Sequence, residues 1–272
     1  MLAQGIYPDL SNKDYHADAA LSRTGIMCFE ESAYKFWANY VSVMKPEHKP
    51  TDAMILGSAF HTLILEPHLF DDIYIMEPEK LLLKDVGRIM YEKYKDLLTF
   101  LENSKHEVIS NKNWKTLEEM ADSLRNHKEA WELIEGAIYE RSYFWKDESS
   151  GLMVKSRPDL LHKNMIVDLK TCTSASSHAY QRSMVDGGYH IQGAMVRDAL
   201  RKLENRDVSN VINVCVETKY PYAIGIKIIS EHALNYGENE YKKALLEIKQ
   251  CQTSSCWPTY EIETVDLPHW YE

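Results

Sequence analysis

Asp159, Asp168 and Lys170 stand close together in the segment Ser156-Arg-Pro-Asp-Leu-Leu-His-Lys-Asn-Met-Ile-Val-Asp-Leu-Lys-Thr171. Asp159 ends one apolar run, a short polar turn follows, and Asp168 and Lys170 sit two apart in a second run. Side chains alternate along a strand, so Asp168 and Lys170 share a face at a Cα separation of about 7 Å. Val167 and Leu169 then point the other way, into a core. A hairpin brings Asp159 alongside. Two half-buried carboxylates at this range repel unless a cation sits between them. A hard divalent ion with oxygen ligands, Mg2+ or Mn2+, is the natural occupant. Such an ion polarises a phosphodiester and lowers the pKa of a bound water, and two ions about 4 Å apart clamp the attacking and leaving oxygens. Lys170 would orient or deprotonate that water, or stabilise charge on the phosphorus. Glu140, on the strand before, is a further candidate ligand. The expected chemistry is metal-dependent cutting of a nucleic acid backbone. The motif is short, and a salt-bridged structural hairpin has the same pattern.

The elements that must position these groups follow from the residue pattern. Ile138–Trp145, Leu152–Leu161 and Met165–Thr171 are rich in β-formers, and Asp147–Gly151 and His162–Asn164 are turns, which predicts an antiparallel meander. A serine-rich loop leads to a helix from about Tyr189 to Leu203. On it Tyr189, Gln192 and Val196 lie at i, i+3 and i+7, on one face. Gln192 there either hydrogen-bonds a phosphate or a metal-bound water, or is an ordinary exposed residue. Val208–Glu217 and Tyr222–Ile229 predict two more strands, and Ser230 caps a helix to about Cys251.

Upstream, residues 5–21 read as an ordered arm with turns, and Ser22 caps a helix to about Tyr40. Asp52 caps a helix from Ala53 to Leu65, stopped by Pro67. Gly57 and His61 lie four apart on it. A glycine in mid-helix costs about 1 kcal/mol relative to alanine, so either something approaches closely there or the glycine simply packs a helix with a boundary histidine beside it. Asp72–Met76 predicts a short strand. From about 84 to 135 the chain is helix-prone, anchored by Trp114, Leu117, Met120, Leu124 and Trp131. Lys80, Lys84, Arg88, Lys93 and Lys95 make this stretch basic: a solvated helical face, or a wall of a DNA channel.

The 272 residues suit one large domain, divisible into a mainly helical part, 1–135, and a catalytic core, 136–272. Hydrophobic residues make up 44%, enough for a core. The net charge of -10 argues against broad coating of DNA, since only a local basic groove or bound cations could offset phosphate repulsion. Five scattered cysteines and no secretory or membrane-spanning run predict a cytoplasmic protein.

Together these residues carry a resemblance. Asn12-Lys-Asp-Tyr-His16 with Leu21-Ser22, Leu56-Gly-Ser-Ala-Phe-His61 with Leu65-Glu-Pro67, Arg157-Pro-Asp159, Val167-Asp-Leu-Lys-Thr171, Tyr189-His-Ile-Gln192, and Trp257-Pro258 with Leu267-Pro-x-Trp270 follow one order. In this the chain resembles the RecE-type (exodeoxyribonuclease VIII C-terminal) nucleases of the PD-(D/E)xK superfamily, close to the RecB-type nucleases. The resemblance implies an α/β (α+β) restriction-endonuclease-like core, a central mixed β-sheet flanked by helices. It implies that Asp159 and Asp168 are the main metal ligands, that Lys170 is the catalytic lysine, that Glu140 is the upstream acid, and that His61 approaches the metal. Gln192 matches the glutamine of the family's Gln-x-x-x-Tyr helix, whose tyrosine is replaced by Val196, with Tyr189 one turn earlier as the substitute phosphate contact. The implied activity is Mg2+-dependent digestion of linear double-stranded DNA, 5′ to 3′, leaving overhangs for a RecT-like annealing protein. Such enzymes assemble as rings around DNA in the bacterial host cytoplasm, often from phage. An AddB-like iron–sulfur nuclease needs a four-cysteine set, and only Cys251 and Cys256 cluster here. A catalytically silent DNA-end-binding module is the remaining alternative.

Overall fold

The computed structural model describes residues 1–44, 50–77 and 106–267, with Lys95 and Thr99. Lys80, Lys84, Arg88, Lys93 and Trp270 lie outside the described residues; Lys95 is helical and exposed.

The organising strand is β8 (Met165–Cys172), and its alternation decides the layers. It is the middle of a five-stranded mixed sheet of order β10-β9-β8-β7-β4. The other members are β4 (Ile138–Tyr139), β7 (Leu160–His162), β9 (Asn210–Glu217) and β10 (Ile224–Ile229). β8 and β9 run in parallel, the other neighbours antiparallel. A parallel pair needs a long crossover. Here it carries α8 (Ser177–Asp186) and α9 (Tyr189–Glu204).

Odd and even positions of β8 serve different cores. Ile166 packs with Ile191, Ala194 and Val196 of α9 and with Leu245 and Ile248 of α10 (Glu231–Ser254). Val167 and Leu169 pack on the other face against Phe60 of α4 (Asp52–Leu65), Leu117 and Leu124 of α6 (Asn111–Asn126), and Ile134 of α7 (Lys128–Ile134). The result is a helix–sheet–helix sandwich, the mixed sheet flanked by helices that the family resemblance implies.

The meander departs from its prediction in a way that matters. Ile138–Trp145 is not one strand but β4 and β5 (Ser142–Lys146); Leu152–Leu161 is β6 (Met153–Ser156) and β7. β5 and β6 leave the main sheet and pair with β1 (Gly5–Tyr7) in a three-stranded sheet. The two breaks fall at Glu140-Arg141 and at Arg157-Pro158-Asp159. Glu140 has φ +48, the left-handed region unfavourable to a residue with a Cβ, and Pro158 has no N–H for a ladder. Strand propensity on both sides of the first break is high, so residue type alone reads straight through Glu140; at the second break Pro158 is itself the signal.

Other boundaries moved for local reasons. The helix expected over 22–40 is α2 (Arg23–Glu31) and α3 (Ala33–Phe36), the latter running into a π turn at Trp37–Val41. The split falls at extended Ser32, whose hydroxyl caps α3. Thr51, not Asp52, caps α4, its hydroxyl accepting from Met54 N at 3.3 Å. Pro67 ends α4 by opening a new helix, α5 (Pro67–Ile73), at a position where a missing N–H costs nothing. The strand expected at 72–76 is only β2 (Tyr74–Met76), parallel to β3 (Glu107–Ile109). The residues of the arm form β1 and α1 (Asn12–Ala17). Among the described residues no helix is long and apolar enough to cross a membrane.

Candidate active site

The two strand breaks lie side by side, and the acids sit on them. Glu140 N donates to the Asp159 carbonyl at 3.1 Å, which stitches the breaks together. Asp159 precedes β7 in a bend rather than ending a strand, and its Oδ2 accepts from Leu169 N of β8 at 2.8 Å. That bond fixes the Asp159 carboxylate beside the strand that carries Asp168 and Lys170.

Asp168 is 4% exposed and faces α9. Its Oδ1 accepts from Gln192 Nε2 at 2.7 Å, and Gln192 Oε1 accepts from Lys170 Nζ at 3.1 Å. Lys170 and Asp168 form a close ion pair. Gln192 thus bridges the acid and the amine that strand alternation places on one face, and it is not a free surface residue. Tyr189, one turn before it, puts its ring under the Lys170 ammonium, 4.8 Å from ring centroid to Nζ. Val196, on the same face, is buried in the core with Ile166 and Val211. A side chain there makes no contact with solvent-borne phosphate.

His61 reaches the site from the opposite layer. α4 crosses β8 closely at Gly57, where an added Cβ would lie 3.3 Å from Thr171 Oγ1. This is the close approach that a mid-helix glycine permits. One turn on, His61 Nδ1 lies 3.5 Å from Asp159 Oδ2. Glu140, Asp159, Asp168, Lys170, Gln192, Tyr189 and His61 are therefore all brought to one place.

Three further residues belong here and were not singled out from sequence. Arg157 is the only guanidinium that ion-pairs with Glu140 among the described residues, at 3.7 Å. It also donates to Ser142 Oγ and the Leu10 carbonyl, each at 2.8 Å, and stacks on Tyr15 at 4.4 Å. The arm of residues 5–21 thus locks the base of the site. Glu66, which closes α4, adds negative charge next to Glu140 and Arg157. Arg23, at the start of α2, donates to the Gly187 carbonyl and sits within electrostatic reach of Lys170 and Tyr189. The next residue, Gly188, lets α2 come this close: its φ is +60, and an added Cβ would lie 2.6 Å from Met27 Sδ of α2. Arg157 and Glu66 stand inside the motifs Arg157-Pro-Asp159 and Leu65-Glu-Pro67, without a role assigned there; a lone Arg23 carries no local signal.

The electrostatics are those of an acid cluster short of positive charge. Burial and then the neighbouring Asp159 push the Glu140 carboxyl up to about 8. Burial and then Asp168 raise Asp159 to about 6. Lys170 is held above its ordinary range because Asp168 and Asp159 outweigh its burial. As the side chains stand, no three His, Cys, Asp or Glu donors among the described residues converge closely enough to hold an ion. The Lys170 ammonium, turned onto Asp168, supplies the balancing charge. The donor set still fits a hard divalent cation: two carboxylates at the breaks beside β4 and β7 and a third within β8, the first two with raised proton affinity. Glu140 also pays about 1–3 kcal/mol for its left-handed backbone, strain that is common where function dictates the placement. All five cysteines are free thiols; Cys172 and Cys215 are hydrogen-bonded to each other, and among the described residues no three metal-ligating side chains converge.

Among curated proteins no match is found. A crystal structure described as "Putative exonuclease" from Eubacterium rectale has a TM-score of 0.64 to this chain at 15% identity. The likeness covers 89% of this chain and 87% of that one, and it is a likeness of fold. With a mixed sheet, acids at its strand ends and a lysine two residues past the second aspartate, residues 22–268 match the family described as "PDDEXK-like domain of unknown function (DUF3799)", and the chain belongs to it.

Proposed function

We propose that this chain is a divalent-metal-dependent exodeoxyribonuclease that digests linear double-stranded DNA, 5′ to 3′, leaving 3′ overhangs for recombination. The observation that carries this reading is the joining of Asp159 to β8 through Leu169 N, which sets a second carboxylate beside the Asp168–Lys170–Gln192 network. Asp159, Asp168 and Glu140 would hold Mg2+ or Mn2+, two ions in the full site, with His61 at the edge. A bound ion supplies Lewis acidity toward the scissile phosphate. Lys170 orients the attacking water, and Gln192 keeps the amine and Asp168 in a constant relation. Arg23 and Tyr189 face the DNA backbone, which fills the phosphate role that Val196 cannot. A homo-oligomeric ring with a basic inner wall, working with a RecT-like annealing protein in the bacterial cytoplasm, reconciles a net charge of -10 with a DNA substrate.

The test is digestion of a linear duplex labelled at one end, with Mg2+, beside the Asp168→Ala protein. Loss of the 5′ label first, abolished by Asp168→Ala and by EDTA, is the expected result. Cleavage that survives both removes the metal reading, and loss of the 3′ label first reverses the polarity.

A further inference from the structure

Beneath Gln192 and Val196, between α9 and the sheet, lies a cavity of about 10 Å³ lined also by Asp168 and Asn213. Asn213 is on β9, directly across the parallel ladder from Asp168, so the two side chains share the sheet face under α9. It is 2% exposed, and its Nδ2 has no hydrogen-bond partner. Asp168 Oδ2 lacks one too, apart from its ion pair with Lys170. A buried donor left unpaired costs about 1–3 kcal/mol. An apolar residue would be the cheaper choice here, since Val211 and Val196 already line the same space.

An unpaired amide N–H and a carboxylate oxygen held otherwise only by the Lys170 ammonium border one void, and its volume is at the lower limit for a single water molecule. A water there would accept from Asn213 and donate to Asp168, satisfying both. We propose that Asn213 is a positioning residue that acts through one buried water to hold the Asp168 carboxylate in its metal-binding orientation. Gln192 grips the other oxygen, Oδ1, at 2.7 Å. With both oxygens held, the carboxylate has no freedom to rotate when the Lys170 ammonium gives way to an ion. Partners of this kind orient ligands and tune affinity although they never touch the metal.

This inference rests on the metal-site reading above, and the experiment separates the two. Mn2+ binding to the full-length protein is measured by calorimetry for the wild type, Asn213→Val and Asn213→Ser, with thermal unfolding recorded alongside. Asn213→Val should weaken Mn2+ binding about tenfold or more, the usual effect of losing such a partner. Its melting temperature without metal should stay about level, because valine exchanges a water-bridged amide for apolar packing against Val196 and Val211, which already line that space. A purely structural asparagine predicts the opposite, a lower melting temperature with unchanged affinity, and that result overturns the proposal. Asn213→Ser keeps a hydroxyl able to hold the water and should recover most of the affinity; equal losses in both variants count against the bridge. A high-resolution crystal structure gives a second readout, independent of folding by any variant: water within hydrogen-bond distance of both Asn213 Nδ2 and Asp168 supports the proposal, and a dry cavity refutes it. If the wild type itself binds no Mn2+, the metal-site reading fails and this one with it; if the wild type binds and Asn213→Val binds equally, only the role of Asn213 fails.

Discussion

Binding of a divalent cation at this site should be steeply pH-dependent, with a steepness set by the two raised carboxyls. An ion needs Glu140 and Asp159 ionised, so protons compete for the same oxygens. Glu140 titrates at about 8 and Asp159 at about 6. At pH 8 about half of the molecules have both groups ionised. At pH 6 roughly one in a hundred has Glu140 ionised, and about half of those have Asp159 ionised as well. The apparent affinity should therefore fall about 100-fold from pH 8 to pH 6, and binding at pH 7 should release about one proton per site. Mn2+ titration calorimetry in two buffers of different ionisation heat measures both quantities.

Glu140→Gln removes the higher of the two titrations. The dependence should then flatten above pH 7 and keep only the step near 6 due to Asp159. The metal-free protein gives a check of opposite sign. Glu140 has a folded-state value raised above the 4.5 of an ordinary glutamate. Between about 4.5 and 8 the folded state holds a proton that the unfolded chain has lost, so stability falls as pH rises through that window. In Glu140→Gln that decline should largely disappear. An affinity constant within twofold from pH 6 to pH 8, with no proton release, would refute the claim that these carboxylates are the ligands.

Three other outcomes follow from the same geometry. Lys170→Met removes the cation that balances Asp168 and Asp159 and should cost about 3 kcal/mol in urea unfolding without metal; Mn2+ should restore part of this stability while DNA cleavage stays lost. Arg23→Ala should weaken DNA binding and lower the slope of log affinity against log salt by about 1, the signature of one phosphate contact; Mn2+ affinity without DNA should not change, and a loss there would place Arg23 in the metal site instead. Glu140→Gly, compared with Glu140→Gln, should be more stable by about 1 kcal/mol, because glycine accepts the φ of +48 without strain; equal stabilities would mean that the backbone relaxes there.

What the sequence makes legible and what it hides divide along a physical line. The alternation of Ile166, Val167, Asp168, Leu169 and Lys170 is a local property of an extended chain, so the faces of β8 and the pairing of Asp168 with Lys170 can be read directly. The helical face that puts Tyr189, Gln192 and Val196 in line is equally local. His61 is different: spacing alone leaves it a boundary residue, and only the order of motifs along the chain assigns it to the site. Its partner Asp159 lies 98 positions away, and what joins them is the passage of α4 over Thr171 at Gly57. Of the two strand breaks, the one at Glu140 is not legible, because Ile138, Tyr139, Tyr143 and Phe144 around it are good β-formers, whereas Pro158 marks the one before Asp159. The arm of residues 5–21 enforces them: β1 pairs with β5, Leu21 bridges Val154 of β6, and Lys155 donates to the Tyr15 and Asp18 carbonyls at 2.5 and 2.8 Å. These long-range contacts pull β5 and β6 out of the main sheet. A continuous meander would bury Glu140 and Asp159 in ladder positions within the sheet. Switching sheets at those two residues frees their carboxylates at its edge, next to Asp168, and so the element that looked least like part of the site creates its opening.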